Sequence, residues 1–199
     1  MTGDLQIAPM SPQDLGIAVD WAAAEGWNPG LHDAEAFHRV DPDGFLMGWL
    51  NGTPVSAISV VRHSDRFGFL GFYLCLPDHR GKGYGMATWR AGMAHLGDRI
   101  VGLDGVPAQE ANYMRSGFTL AHYTQRYAGS IRGAADPKCR RVTAADMPAI
   151  LQMDLSISGT NRSAYISSWL SETPTRQTLV CETGGQVKAV GTIRSCRQG

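Results

Sequence analysis

The chain has 199 residues, 43% hydrophobic and 18% charged, and its 18 basic residues balance its 18 acidic ones for a formal net charge of zero. That balance supplies no field to attract nucleic acid, and no stretch is long and apolar enough to span a bilayer. A length of this order accommodates one large domain, or one and a half of medium size.

Met1 to Met10 lacks the basic start and apolar core of a signal peptide, which predicts a cytoplasmic location. Within it, Leu5 to Met10 reads as a short strand. Ser11-Pro12-Gln13-Asp14 then opens a helix, with Ser11 as N-cap, Pro12 at the first helical position and an acid in the first turn. Leu15, Ala18, Val19 and Ala22 form its apolar face, and it stops near Gly26. The loop Glu25-Gly26-Trp27-Asn28-Pro29-Gly30 leads to a short helix from about Asp33 to Val40. Phe45 to Leu50 and Val55 to Val61 read as strands joined through Asn51-Gly52, a favoured turn for an antiparallel hairpin.

Phe67 to Leu76 is apolar at nearly every position, with Phe67, Phe69, Tyr73 and Cys75 on one face and Leu70, Phe72, Leu74 and Leu76 on the other. Such a run reads as a central strand covered on both sides. Pro77 removes a backbone donor and ends the ladder. Arg80-Gly81-Lys82-Gly83-Tyr84-Gly85 follows, then Met86, Trp89, Met93 and Leu96 at helical spacing. The unit is strand, glycine loop, helix. A helix start leaves N–H groups unpaired and carries partial positive charge, and glycines let an anion approach the backbone, so the predicted ligand is a phosphate or pyrophosphate. The string is neither the GxxxxGK[ST] of a P-loop nor the GxGxxG of a dinucleotide fold.

Arg99 to Val106 reads as a strand, Ala108 to Ser116 as a short helix capped by Gly117, and Phe118 to Tyr127 as an alternating strand. The order β-α-α-β-β-β-α-β-α-β predicts an α/β fold with a mixed sheet, in which the strands before and after the glycine-loop helix lie parallel.

Arg80-x-x-Gly83-x-Gly85 after Cys75-Leu76-Pro77 resembles the acyl-CoA loop of the GNAT superfamily of N-acetyltransferases, and Tyr113-Met114-Arg115-Ser116-Gly117-Phe118 resembles the family's later Tyr-x-x-x-Gly-Phe motif. With the element order, the likeness covers roughly residues 5–130. It implies a GNAT-like mixed, mostly antiparallel sheet flanked by helices, and transfer of an acetyl group from acetyl-CoA to a primary amine. The backbone near Leu74, Cys75 and Leu76 would bind the pantetheine arm, and the amides of Arg80, Gly81, Lys82, Gly83, Tyr84, Gly85 and Met86 the pyrophosphate. Tyr113 matches the tyrosine that acts as general acid toward the departing thiolate. Cys75 itself reads as a packing residue. The asparagine the family often carries before that tyrosine has no match in Val106-Pro107-Ala108-Gln109.

The general base is open: Asp104 either accepts the amine proton or forms a turn with Gly105, and Glu25 and His122 are further candidates. By the same resemblance Glu25, Trp27 and Asn28 line the acceptor pocket for a small-molecule or peptide amine, although Pro29 and Gly30 alone suffice for a bend. The competing reading is a non-catalytic acyl-CoA-binding module for regulation or assembly.

Residues 131–138 read as a linker, and 139–199 as a partial second copy of the fold's first half. Asp146-Met147 follows Asp14-Leu15 by 132 positions, while Gly159 and Asn161 follow Gly26 and Asn28, and Gly184-Gly185 follows Asn51-Gly52, by 133. On that offset the copy stops opposite Arg66 and lacks its own acyl-CoA loop. This predicts an exposed sheet edge, through which two copies could pair, and a chain cut from a longer tandem protein. Cys75, Cys139, Cys181 and Cys196 are far apart and read as free buried thiols; the six histidines are dispersed, and no metal is expected.

Overall fold

The computed structural model describes residues 4–130 and 132–198. Residues 1–3, Ile131 and Gly199, which the leader, linker and second-segment readings include, lie outside the described residues.

The first sheet contains five strands in sequence order: β1 (Leu5–Pro9), β2 (Phe45–Leu50), β3 (Thr53–Arg62), β4 (Phe67–Cys75) and β5 (Ile100–Leu103). Neighbours are antiparallel except β4 and β5, which run parallel. The helices α1 (Pro12–Ala24) and α2 (Asp33–His38) cover one face, and α3 (Tyr84–Leu96) and α4 (Glu110–Arg115) the other. Leu15, Ala18 and Ala34 meet Met47, Ala57 and Val61 on the first side; Trp89 and Leu96 meet Ile58, Val60 and Leu70 on the second. Helix α1 begins with a capping box: Ser11 Oγ accepts from Asp14 N, and the Asp14 carboxylate accepts from Ser11 N at 2.9 Å. Helix α3 lies close on the sheet because residue 92 is glycine; a Cβ there would stand 3.0 Å from Val60 and 3.1 Å from Ile58.

A second sheet orders β6 (Cys139–Arg141), β7 (Arg176–Thr183) and β8 (Gln186–Arg194), with α5 (Met147–Ser158) and α6 (Ser163–Trp169) between β6 and β7. Its register repeats that of the first sheet. Ile7 opposite Gly48 becomes Cys139 opposite Cys181, 132 and 133 positions on, and Met47 opposite Ala57 becomes Val180 opposite Val190. Even the irregularity between Gly48 and Trp49 recurs between Cys181 and Glu182. Thr143 and Asp146 form a capping box where Ser11 and Asp14 do, and Gly159 adopts positive φ as Gly26 does. The correspondence ends with β8, which matches β3. Its edge is exposed, Ile193 to 68%.

The two units meet where α2 packs on α6: Phe37 stacks on Tyr165 at 4.7 Å between ring centroids, and His63 stands edge-on to the same tyrosine at 5.3 Å.

Four expectations need correction. Phe118 to Tyr127 forms no strand; Phe118 packs against Trp89 and Tyr113, but beyond it no neighbouring strand among the described residues receives the alternating face, and Tyr123 and Tyr127 stand 72% and 86% exposed. The strand expected over Arg99 to Val106 is confined to Ile100–Leu103, because the chain turns away at Asp104-Gly105. Cys139 and Cys181 are joined in a disulfide, since they oppose one another directly across β6 and β7 with Cα atoms 4.1 Å apart; Cys75 and Cys196 are free and only partly buried. Finally, Leu70 and Phe72 do not share a face. Leu70 packs with Trp89 and Phe72 with Met47, because the strand carries an extra residue between them and its partner.

Candidate active site

That extra residue marks the site. Ala57 faces Leu74 and Ser59 faces Gly71, so Phe72 and Tyr73 together oppose the single Ile58. Phe72 adopts φ 46°, a left-handed conformation that takes its peptide out of the ladder. At the same level β4 loses its other neighbour: parallel pairing runs from Phe67 with Ile100 to Leu70 with Leu103 and stops, while β4 continues through Cys75. The strands part, and among the described residues no strand lies beside the backbone of Gly71 to Cys75 on the β5 side. Leu76 is already committed, its N–H donating to Val55 O and its carbonyl accepting from His79 N.

Below this opening lies the glycine loop. Gly81 and Gly83 have φ 72° and 87°, where L-residues are strained, and Gly83 is the N-cap of α3. Among the described residues no oxygen accepts from the amides of Gly81 to Met86; the Gly85 amide instead faces the Cys75 sulfur. Gly85 apart, the result is an exposed cluster of unpaired donors at a helix start, which suits a phosphate. The adjacent cations fold back onto the protein: Lys82 Nζ donates to Asp78 O at 2.8 Å, and Arg80 Nε to Cys75 O at 2.8 Å.

Tyr113, on α4, packs into the same opening. Its ring stacks on Trp89 at 6.0 Å, with Tyr73 edge-on to Trp89 at 5.1 Å. Gly105 leaves room for it, since a Cβ there would lie 2.7 Å from the ring. Burial pushes the Tyr113 phenol above its ordinary value of 10, so it keeps its proton at neutral pH. Tyr73 is raised by burial, with Cys75 and Tyr113 adding to the effect. Burial also raises the Cys75 thiol, against the Gly85 amide and Arg80, which leaves a neutral sulfur with no paired base. Asp104 follows directly on the end of β5 and is exposed. His122 lies in the unpaired segment, exposed, and joins no part of the site.

The loop between α1 and α2 is tied to the glycine loop by an ion pair: Arg80 Nη2 lies 2.5 Å from Glu25 Oε1. Trp27 is part-buried, its carbonyl accepting from Arg126 Nη1 at 3.0 Å. The Asn28 side chain is engaged by the backbone of Gln198, as donor at 2.8 Å and acceptor at 3.2 Å. Sequence reasoning missed the bulge, the Tyr73–Trp89 support under Tyr113, and the Glu25–Arg80 link. Gly71 within an otherwise bulky run could have flagged the first; no local pattern encodes an ion pair 55 positions apart.

Residues 16–118, just over half of the chain, match the acetyltransferase (GNAT) family profile. The chain is 35% identical over 189 residues to holothin acyltransferase from a Pseudoalteromonas species, covering 94% of this chain and 64% of that protein. Among solved structures, a Pyrococcus horikoshii protein assigned provisionally to the acetyltransferases superposes with a TM-score of 0.68 at 16% identity, over 89% of this chain and 65% of that one. Ard1 from Thermoplasma volcanium follows at 0.53 and 18%, over 59% and 84%. The chain thus spans less than two thirds of the length of its holothin acyltransferase and Pyrococcus relatives. A parted β4–β5 pair above a glycine-started helix, and a profile match over the same residues, identify the chain as a member of the GNAT acetyltransferase family.

Proposed function

We propose that the chain is an N-acetyltransferase that moves an acetyl group from acetyl-CoA to a primary amine by direct transfer. The observation that carries this reading is the parting of β4 from β5 at Leu70 and Leu103, together with the loop amides of Gly81 to Met86, from which no oxygen accepts among the described residues. The backbone of Gly71 to Cys75 on the β5 side, where Arg80 Nε holds the Cys75 carbonyl, would receive the pantetheine arm as a strand receives a neighbour, and the loop amides the pyrophosphate. The amine nitrogen bonds to the thioester carbon as the carbon–sulfur bond breaks. Tyr113 gives its proton to the departing thiolate, and Asp104, directly or through water, takes the proton lost by the amine. Its likeness to holothin acyltransferase supports acyl transfer as the reaction class.

One observation favours a non-catalytic acyl-CoA-binding module as the second reading: Asp104 is exposed, and among the described residues no hydrogen bond or ion pair holds its side chain. Either reading allows two copies to pair through the β8 edge. Calorimetry with acetyl-CoA, followed by free-thiol release against a panel of small amines and lysine peptides, decides between them. Binding with turnover on some acceptor is expected; binding without turnover on any establishes the second reading, and no binding refutes both.

A further inference from the structure

The second unit grips the α1–α2 loop at several points. Leu31 N donates to Ser195 O at 3.1 Å, Gly30 bridges to Cys196, and His32 Nδ1 lies 2.6 Å from Thr175 Oγ1. Asp33 gathers the rest: its carboxylate accepts from Gly30 N at 3.0 Å, pairs with Arg194 at 2.8 Å, and stands 3.9 Å from Arg176. Arg176 is buried, 5% exposed, donating to His32 O at 3.1 Å with its guanidinium 4.7 Å from the Trp169 ring centre. The cluster closes tightly over Gly30, where a Cβ would stand 2.5 Å from the Asp33 carboxylate and 2.6 Å from Arg194 and would push these side-chain ends aside.

These contacts exceed what docking needs. The aromatic packing of Phe37 on Tyr165 already joins α2 to α6, whereas the charge cluster fixes the loop backbone itself. The loop's other end is tied by Glu25 to Arg80, and through Arg80 to the Cys75 carbonyl on the cofactor strand. Trp27 lies between the two anchors. Arg176 is buried, held by Asp33 and the His32 carbonyl although its Nε has no partner among the described residues, and Arg194 is part-buried against Asp33, so a shift of either side chain costs these contacts unless the loop moves with it.

We propose that the second unit is a clamp on the acceptor loop, with Asp33, Arg176 and Arg194 as positioning residues that set amine selectivity without touching the acetyl-CoA site. This rests on the reading that Glu25 to Gly30 line the acceptor pocket. Selectivity then depends on a segment more than 140 positions away in sequence.

The test uses the full chain with Arg194→Gln, and Thr175→Val as a milder second variant. The probe is whichever amine of the panel turns over fastest. The amine KM should rise about fivefold, the scale of one ordinary net hydrogen bond transmitted through the loop, with kcat and the calorimetric acetyl-CoA Kd unchanged. Deuterium exchange at the Gly30 and Leu31 amides should quicken in parallel, and Arg194→Lys should restore part of both effects. Unchanged exchange overturns the clamp, and quickened exchange with an unchanged KM overturns its role in selectivity. Trp27→Ala separates the underlying reading: if it too leaves the amine KM unchanged, or if no amine turns over, the acceptor-pocket reading fails and the proposal with it. A KM raised by Trp27→Ala alone overturns only the clamp.

Discussion

Gly83 stands at φ 87° with open space around the position of a Cβ, so a substitution there meets backbone strain but no clash. This allows charge and conformation to be separated. Gly83→Asn and Gly83→Asp carry similar left-handed cost, yet only the aspartate places a negative charge where phosphate is expected. Gly83→Asp should weaken acetyl-CoA binding at least about tenfold more than Gly83→Asn by calorimetry, a gap on the order of 1.4 kcal/mol; equal affinities would remove the loop from the site. Tyr113→Phe keeps the ring stacked on Trp89 but removes the hydroxyl. Acetyl-CoA affinity should hold while kcat falls by about 10²-fold, the lower range for losing a general acid, and an unchanged kcat would leave Tyr113 a packing residue. The glycine loop and Tyr113 were legible in sequence because spacing within a few residues defines each motif. Phe72 was not, since alternation assumes a regular strand and a bulge changes the face of everything beyond it.

At the scale of elements, Asp41 ties three segments at the end of the sheet remote from the loop. Its carboxylate accepts from Arg62 N at 2.8 Å and Arg62 Nε at 3.1 Å, and lies 2.9 Å from His95 Nε2, joining the turn before β2 to the end of β3 and the last turn of α3. Burial alone would raise its pKa, but the bonds from Arg62 and His95 outweigh burial and hold it below the ordinary 3.8. Asp41 therefore contributes stability that is fully present above pH 3.8 and is lost as pH falls through its lower folded value. Asp41→Asn should cost about 1–3 kcal/mol at pH 7 in urea denaturation, with the difference from the parent narrowing at pH 3. A cost independent of pH would show that shape, not charge, matters there. The elements of the first unit were mostly legible, because caps, Asn51-Gly52 and the apolar runs act locally. Phe118 to Tyr127 was misread for the opposite reason: a strand needs a neighbour, and sequence alternation cannot report whether one is present.

Across the whole molecule, the repeat was legible from three landmarks, while the disulfide was not, because Cys139 and Cys181 become neighbours only once β6 pairs with β7. The junction between units was equally hidden, and it carries its own pH dependence. His63, at the turn after β3, stands against Tyr165 of α6. Burial first, and then the Arg162 charge, lower its pKa from 6.5 to about 4, against smaller opposing effects of Asp154 and Asp41. Between those two values the unfolded chain holds a proton on His63 that the folded chain does not, so stability falls as pH is lowered through this window and levels off below it. Burial pushes the Tyr165 phenol in the opposite direction, to about 12, so the tyrosine stays neutral throughout and leaves the effect to the histidine. The urea midpoint should therefore drop between pH 7 and pH 5, before Asp41 begins to protonate, and His63→Phe should flatten that drop while keeping an aromatic ring against Tyr165. If the His63→Phe midpoint declines as steeply as the parent's, the acid sensitivity arises elsewhere, and the junction is held by the Phe37–Tyr165 stack without a titrating partner.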